Sequence, residues 1–532
     1  MQNLEENASE NHADLDLNGA HPNWDAFTKI NKLSWQMSFS YTLFIQMTVL
    51  VYSSIQLDSD EDNLAALTLI TSLINTVALI GVAPLFAMSL VAGRQLGALR
   101  DLEKNPETTE EELTLKREEI AAVFGNGLRI SLVVCPFMVM PLVFSKDILM
   151  SVFGQNEQVA QICQNFTRPY AATIPPLLLR VCADQVMFMF ERTKPAMLMS
   201  LLTFAISLSI GDVLAFGKLG SPKLGNDGIL LGCILGVYLE AICYLIYLKK
   251  SPRLSKFDFY DLRKDWSPHF NQLKDIRHLA RSMVFAMVTE SSMMIAINSF
   301  SGVVGVSQQA TMAAILQFSL LAALLQMSFG QTGSQEMSRE IGANHFNQAS
   351  RMGKMSALAL LLYIGTVLLI FSIYPTPLSM IISNHTQEMT HTLKYLAPIM
   401  FVGCIFDSQR YLLLQQMRVL GDAKKSSMIS GVSVVLGIIL SGTLGLHTKM
   451  GVYGVGAGFT LSSAIACIII FSRWLKMIDP TFIENAKKNS ERAGNLSSSG
   501  QNMFKTSDRR SSGGIDLSTM SPMQPQDNVN SI

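Results

Sequence analysis

A carboxylate in the middle of a long apolar run needs a reason to be there. Placing a charge at the centre of a membrane costs roughly 2.5–3.5 kcal/mol on insertion scales, so such a group requires a partner, water or a proton. Glu290 stands in MVFAMVTESSMMIAI with no basic residue within one helical turn. It is therefore a group that can exchange a proton or, ionised, hold a cation. Asp407 lies in a second apolar run, three residues before Arg410, and Arg180 precedes Asp184 by four in a third. Both spacings allow pairing along one helical face. Mutual neutralisation is the plain reading of these pairs. The sharper one makes Glu290 and Asp407 a cation-coupling site and places Arg180, Asp184, Arg410 and Gln317 on a substrate cleft. Arg94 and Arg339, near the ends of apolar runs, read as snorkelling cations.

Other chemistry finds little support. No loop carries a histidine and aspartate beside a nucleophile, so an enzyme is not expected. A membrane-embedded transferase using Glu290 as a base is the weaker alternative. The eight histidines show no HExxH spacing, and no metal is expected beyond a sodium ion at Glu290 and Asp407. No cofactor is expected. GVGAG at 454–458 lies inside an apolar run with no strand before it, and reads as close helix packing rather than a nucleotide loop. The seven cysteines sit in apolar runs without CxxC pairing and read as core residues.

The elements that position these residues follow from composition. The chain has 532 residues, 49% hydrophobic and 15% charged, against roughly 25% charged residues in soluble domains. Apolar runs long enough to span a bilayer recur near 33–57, 64–93, 121–145, 160–190, 195–216, 227–248, 278–302, 308–337, 355–375, 389–417, 426–447 and 451–474. The fold class is all-α and membrane-embedded, with twelve transmembrane helices. Most of the 41 basic residues fall on the side of the N-terminus, while the opposite loops hold only Lys146, Lys218, Lys223, Lys394 and Lys449. This asymmetry places both termini in the cytoplasm, with a bacterial inner membrane as the setting. Residues 1–30 and 477–532 are polar and read as disordered tails. Residues 31–250 and 278–476 form two bundles, joined by a basic cytoplasmic linker at 251–277 for which no nucleic acid is expected. Residues 101–119 read as a short cytoplasmic helix, amphipathic or solvated.

The bundles repeat. SLVAGRQLGALR at 89–100 aligns without gaps on SQEMSREIGANH at 334–345, matching Arg94, Gly97 and Ala98 with Arg339, Gly342 and Ala343. FERTKPAM at 190–197 aligns with LGDAKKSSM at 420–428, and Gly228 and Gly232 with Gly454 and Gly458. Six spans per unit is an even number, so the units are parallel repeats with a cleft between them. The fourth and tenth spans carry Pro175, Pro176 and Pro398 beside their charged pairs, and interrupted helices at matching positions point to a transport site.

FGKLGSPKLG at 216–225 followed by Gly228, AILQFSLLAALLQMSFG at 314–330, and PPLLL at 175–179 with ERTKPAM at 191–197 together resemble the multidrug and toxic compound extrusion family, NorM-type branch. The resemblance runs from Ile30 to Trp474. It implies export of an amphipathic, often cationic, small molecule by alternating access, driven by sodium ions or protons, from a monomer surrounded by lipid. Glu290 falls at the family's seventh-span glutamate and Asp407, eleven residues before Arg418, at the tenth-span aspartate of that branch. The chain departs from the family at Tyr52, Trp35, Ser282, Gln326, Arg94 and Arg339. The nearest rival is a lipid or lipid-linked oligosaccharide flippase of the same superfamily, to whose phosphate the arginines could bind.

Overall fold

The structure, a computed structural model, describes residues 22–41, 61–151, 157–252, 254–257, 259, 270–373 and 387–488. The regular elements among the described residues are helices, with no strand. In the first half they are α1 (Pro22–Ser40), α2 (Glu61–Lys104), α3 (Glu110–Val143), α4 (Ser145–Ser151), α5 (Glu157–Tyr170), α6 (Ile174–Met189), α7 (Thr193–Phe216) and α8 (Asn226–Lys250). The second half holds α9 (Phe270–Val304), α10 (Val306–Gly342), α11 (Phe346–Ile373), α12 (Gln387–Val419), α13 (Ala423–Leu446) and α14 (Val452–Met477). With α5 and α6 joined as one span, these supply the twelve crossings expected. The latter part of the first span and the whole of Tyr52's surroundings lie outside the described residues.

Among the described residues, nine spans are apolar enough to cross a membrane by composition alone. Helices α10 and α12 are of similar length but richer in polar side chains, and the structure explains how they are tolerated. Gln331, Gln335, Glu336 and Arg339 of α10 and Arg410, Gln415, Gln416 and Arg418 of α12 are all buried against protein. Helices toward the outside turn apolar side chains outward instead, as with Leu132, Val133, Phe137 and Met140 of α3 and Val432, Val435 and Ile439 of α13. An apolar exterior with polar groups turned to the protein interior is what lipid requires.

Two boundaries differ from the sequence reading. Residues 101–119 form no separate helix: 101–104 complete α2, and α3 starts at Glu110, ahead of its apolar run. The cause is a capping box in which Thr109 accepts from the Glu112 amide while the Glu112 carboxylate accepts from the Thr109 amide. No helix breaker follows before Ile120. The fourth span is interrupted by a 3₁₀ turn at Ala171–Thr173, with Pro175 and Pro176 in the first turn of α6, where their missing donors cost nothing. Pro398, by contrast, sits within a continuous α12.

The repeat is visible in the backbone. Arg192 N–H donates to Met187 O at 2.8 Å, and Asp422 N–H to Met417 O at 2.9 Å, closing the same turn at aligned positions of the two halves. Gly225 (φ 58°, ψ −130°) and Gly451 (φ 55°, ψ −133°) open α8 and α14 in one conformation. The halves meet where α2 packs on α9 and α10, and α1 on α10 and α11. At the α2–α10 crossing a Cβ at Gly97 would overlap the Arg339 carbonyl, and one at Gly342 would overlap the Arg94 carbonyl. The aligned residues thus touch each other reciprocally, as a pseudo-twofold axis between parallel repeats demands.

Candidate functional site

The site assembles around Arg410. Helix α12 presents Asp407 and Arg410 one turn apart on a single face, and α9 brings Glu290 to the same guanidinium. Arg410 Nη2 donates to Asp407 Oδ1 at 2.7 Å and to Glu290 Oε1 at 2.8 Å, while Nε donates to Asp407 Oδ1 at 3.0 Å. Nη1 donates to the Ser430 hydroxyl on α13. Glu290 therefore has a cationic partner after all, and the sequence reading of an unneutralised acid is corrected. The missing information was tertiary, since Arg410 comes from a different helix.

A small cavity adjoins this centre, lined by Glu290, Asp407, Arg410, Ser433, Phe459 and Ser463 among others. It leaves about 10 Å³ for the centre of a water-sized sphere, which is room for about one water molecule or small ion. A drug-sized molecule needs several hundred Å³. The cavity is thus of ion size, not substrate size. Side-chain exposures of 17% for Glu290, 12% for Asp407 and 4% for Arg410 show that the acids, more than the arginine, face the opening.

The first half contains a counterpart. Arg180 on α6 has Nε 3.4 Å from Asp184 Oδ2 and 3.2 Å from Glu240 Oε1 on α8. Its Nη2 donates to the Ser40 carbonyl and, at 3.4 Å, to the Ser200 hydroxyl on α7. Ser200 in turn donates to Glu240 at 2.7 Å, and Tyr244 Oη lies 3.1 Å from Ser200. Arg180 and Ser200 align with Arg410 and Ser430 at the same offset of 230 residues. Each half thus places one arginine and one serine at the same repeat position, but the carboxylates come from different places: Asp184 follows its arginine by four and Asp407 precedes its own by three, while Glu240 lies on α8 and Glu290 on α9. Arg180 and Asp184 are buried within the first-half bundle, and the structure does not bring them to the Glu290 cavity. Gln317 lies on α10, with its side chain outside the described residues. Glu240 was not singled out from sequence, although a lone acid in GVYLEAICYLIYL carries the same signal as Glu290.

Arg418, eight residues after Arg410, is buried too. Its Nε donates to the Ser282 hydroxyl at 3.1 Å, so the serine in the family's proline position serves as a polar anchor.

A third charged cluster lies at the α2–α10 crossing, where the halves meet. Lys29 Nζ is 2.9 Å from Glu336 Oε2 and 3.1 Å from Glu191 Oε1. Arg339 pairs with Glu336 at 2.7 Å and with Glu191, and donates to Met189 O at 2.6 Å. Arg339 is 1% exposed, so its snorkelling reading is overturned: acids from both halves make burial affordable. Arg94 keeps an exposed side chain and donates to Val419 O at 2.9 Å. Burial opposes ionisation of Glu191, yet Arg339, Lys29 and Arg100 hold its carboxyl well below the usual carboxylate range.

Comparison with known proteins agrees with this architecture. The MatE family profile matches residues 282–443. The chain is similar to a "Probable multidrug resistance protein NorM" of Halalkalibacterium halodurans, with 23% identity covering 72% of this chain and 82% of that protein. It is also similar to the "Probable multidrug resistance protein YoeA" of Bacillus subtilis, at 21% identity over 66% and 76% of the two chains. The fold matches the crystal structure of the eukaryotic MATE transporter AtDTX14 with a TM-score of 0.71 at 17% identity, covering 87% of this chain and all of that one. An outward-facing MATE-family multidrug resistance transporter of the MOP superfamily matches with a TM-score of 0.72 at 14% identity, over 85% and 96% of the chains.

Proposed function

Because the chain is a divergent, NorM-like member of the MatE family of membrane transporters, we propose that it exports amphipathic, often cationic, small molecules in exchange for an inward-moving cation. Glu290 and Asp407 form the coupling centre, and Arg180, Asp184, Arg410 and Gln317 contribute to the polar lining that substrate meets during the cycle. The protein works as a monomer surrounded by lipid, with both termini in the cytoplasm. The observation carrying this reading is the Glu290–Arg410–Asp407 cluster beside an ion-sized cavity inside a twelve-helix bundle. A buried acid that gains or loses a positive charge changes which packing of its bundle is favoured, and differential affinity of cation and substrate for the two states is all that exchange requires.

Alternating access then needs the crossing of α2 and α10 to part. The two arginines that favoured a lipid phosphate are already ion-paired to the protein's own acids, which takes support from the flippase reading.

The test uses inside-out membrane vesicles, ethidium as a fluorescent amphipathic cation, and an imposed proton or sodium gradient. Glu290→Gln should lower gradient-driven ethidium uptake at least about tenfold. Uptake equal to that of the unmodified protein would sink the coupling role.

A further inference from the structure

We propose that Gln331, with Ser89 and Gln185 opposite it, forms a recognition site between the halves for a planar ring that carries both a hydrogen-bond donor and an acceptor. This rests on the transporter reading above and names the chemistry its substrate presents. Gln331 on α10 reaches across to the first half. Its Nε2 donates to the Ser89 hydroxyl of α2 at 2.7 Å and to Gln185 Oε1 of α6 at 3.0 Å. The Phe86 carbonyl lies 3.3 Å from the same nitrogen. All three polar side chains are at most 2% exposed. The groups that meet here are two amides, a hydroxyl and a peptide carbonyl, none of them charged, so a ligand is held among them by hydrogen bonds.

Aromatic rings stand beside these groups. Ser38 and Tyr41, Phe86 and Ser89, and Gln185 and Phe188 are each three residues apart, a spacing that puts a polar group and a ring on one helical face. Phe86 and Phe188 both meet Tyr41 edge-on, with ring centroids 6.2 Å apart. From the second half, Tyr411 of α12 comes within electrostatic reach of Tyr41, and Gln415 donates to the Tyr411 hydroxyl at 2.9 Å. The side-chain oxygen of Gln415 and the Nε2 of Gln335, one turn beyond Gln331, are buried with no hydrogen-bond partner among the described residues. A buried amide with an unused atom costs stability in the closed protein. Both amides stand beside the surfaces that part.

In this structure Gln331 fills the place a ligand would take. When α2 and α10 part, Gln331 regains its N–H donors, while Ser89, Gln185 and the Phe86 carbonyl regain their acceptor oxygens. A ring with an acceptor on one edge and a donor on another satisfies both sides. A ring with neither leaves them unpaired and dry, at a cost greater than the bonds themselves contribute. Closing the seam returns the Gln331 amide to Ser89 and Gln185 and displaces the ring. The ligand therefore binds the parted state alone, which is the differential affinity that exchange requires.

The test compares acridone, a planar tricycle with a ring N–H and a carbonyl, with anthracene, which has the same shape and neither group. Each is added, at equal concentration in the membrane, to inside-out vesicles taking up ethidium under an imposed proton or sodium gradient. Acridone should inhibit uptake competitively at a concentration at least about tenfold lower than anthracene does. In Gln331→Leu the two should inhibit alike, to within about twofold. A merely structural role for Gln331 would lower the rate of uptake and leave the advantage of acridone in place. Equal inhibition by the two in the unmodified protein overturns the proposal, as does an undiminished advantage in folded Gln331→Leu. If that variant does not fold, Gln185→Leu reads the same ratio, and the unmodified protein decides alone if neither folds. These failures leave the transporter reading standing, whereas ethidium uptake driven by neither gradient overturns both.

Discussion

Taking one partner from a buried ion pair costs more than the pair was worth, because the remaining charge stays in a medium that cannot solvate it. Arg410→Ala strands Glu290 and Asp407 together, and should lower stability by roughly 3–5 kcal/mol, read by unfolding of the purified protein. Adding Glu290→Gln removes one of the two stranded charges. The double variant should therefore recover part of the loss, and strict additivity, within about 0.5 kcal/mol, would show that the two side chains are not energetically coupled. At this scale the sequence disclosed the acids and their partners on the same helix, Arg410 for Asp407 and Arg180 for Asp184, and concealed the partners on other helices. Glu290 and Asp407 were legible because an acid in an apolar run is expensive wherever the helix goes. That Arg410 serves both, or that Glu240 completes the Arg180 centre, depends on which helices become neighbours, and spacing along a single helix carries no such information. Arg339 misled for the same reason: near a helix end it resembles a snorkelling cation, until Glu191 and Glu336 are seen to surround it.

Helix ends and crossings were more legible than partners. Glycines matched between the halves, Gly97 with Gly342 and Gly228 with Gly454, revealed the repeat, and the structure adds a further pair. Gly225 and Gly451 hold a positive-φ conformation with ψ near −130° that side chains disfavour. Alanine at either should cost on the order of 1–3 kcal/mol, and by similar amounts, since strain depends on a backbone conformation the two positions share. Urea unfolding of the two variants checks this, and a strong inequality would mean that the aligned turns are not equivalent. Gly97 and Gly342 act through space instead. Valine at either would force α2 and α10 apart, because the obstacle is the opposing carbonyl rather than a flexible side chain. Where element reading failed, the reason was local. The apolar run of α3 begins at Ile120, but its helix starts at the Thr109 cap, and hydropathy does not register a cap.

For the whole molecule, the ion cluster at the crossing is a charged contact between the halves, joining Lys29 and Glu191 to Glu336 and Arg339, and latches them at that end of the bundle. The charges of Lys29 and Glu191 are stable near neutrality. Burial works against the charge of Lys29, but Glu336 and Glu191 outweigh it and raise its pKa above the ordinary 10.5. The stabilisation from Lys29 is therefore complete below that value and is lost only as pH rises through its folded pKa. Glu191 is held below its ordinary 4.5, so its contribution is complete above that value and is lost only as pH falls through its depressed folded pKa. The contributions of Lys29 and Glu191 are therefore both at full strength from about pH 5 to 10. Weakening the latch itself should act at all these pH values. Glu336→Gln removes the carboxylate shared by Lys29 and Arg339, and a buried pair so broken costs roughly 3 kcal/mol. If opening of this end exposes the facing segments, amide exchange at residues 94–104 and 334–345 should quicken by about a hundredfold, at 1.4 kcal/mol per tenfold. Exchange should stay unchanged around Gly225 and Gly451, which lie within single halves. Faster exchange everywhere would instead mean that Glu336 supports the fold as a whole, and that the two halves do not separate at this crossing.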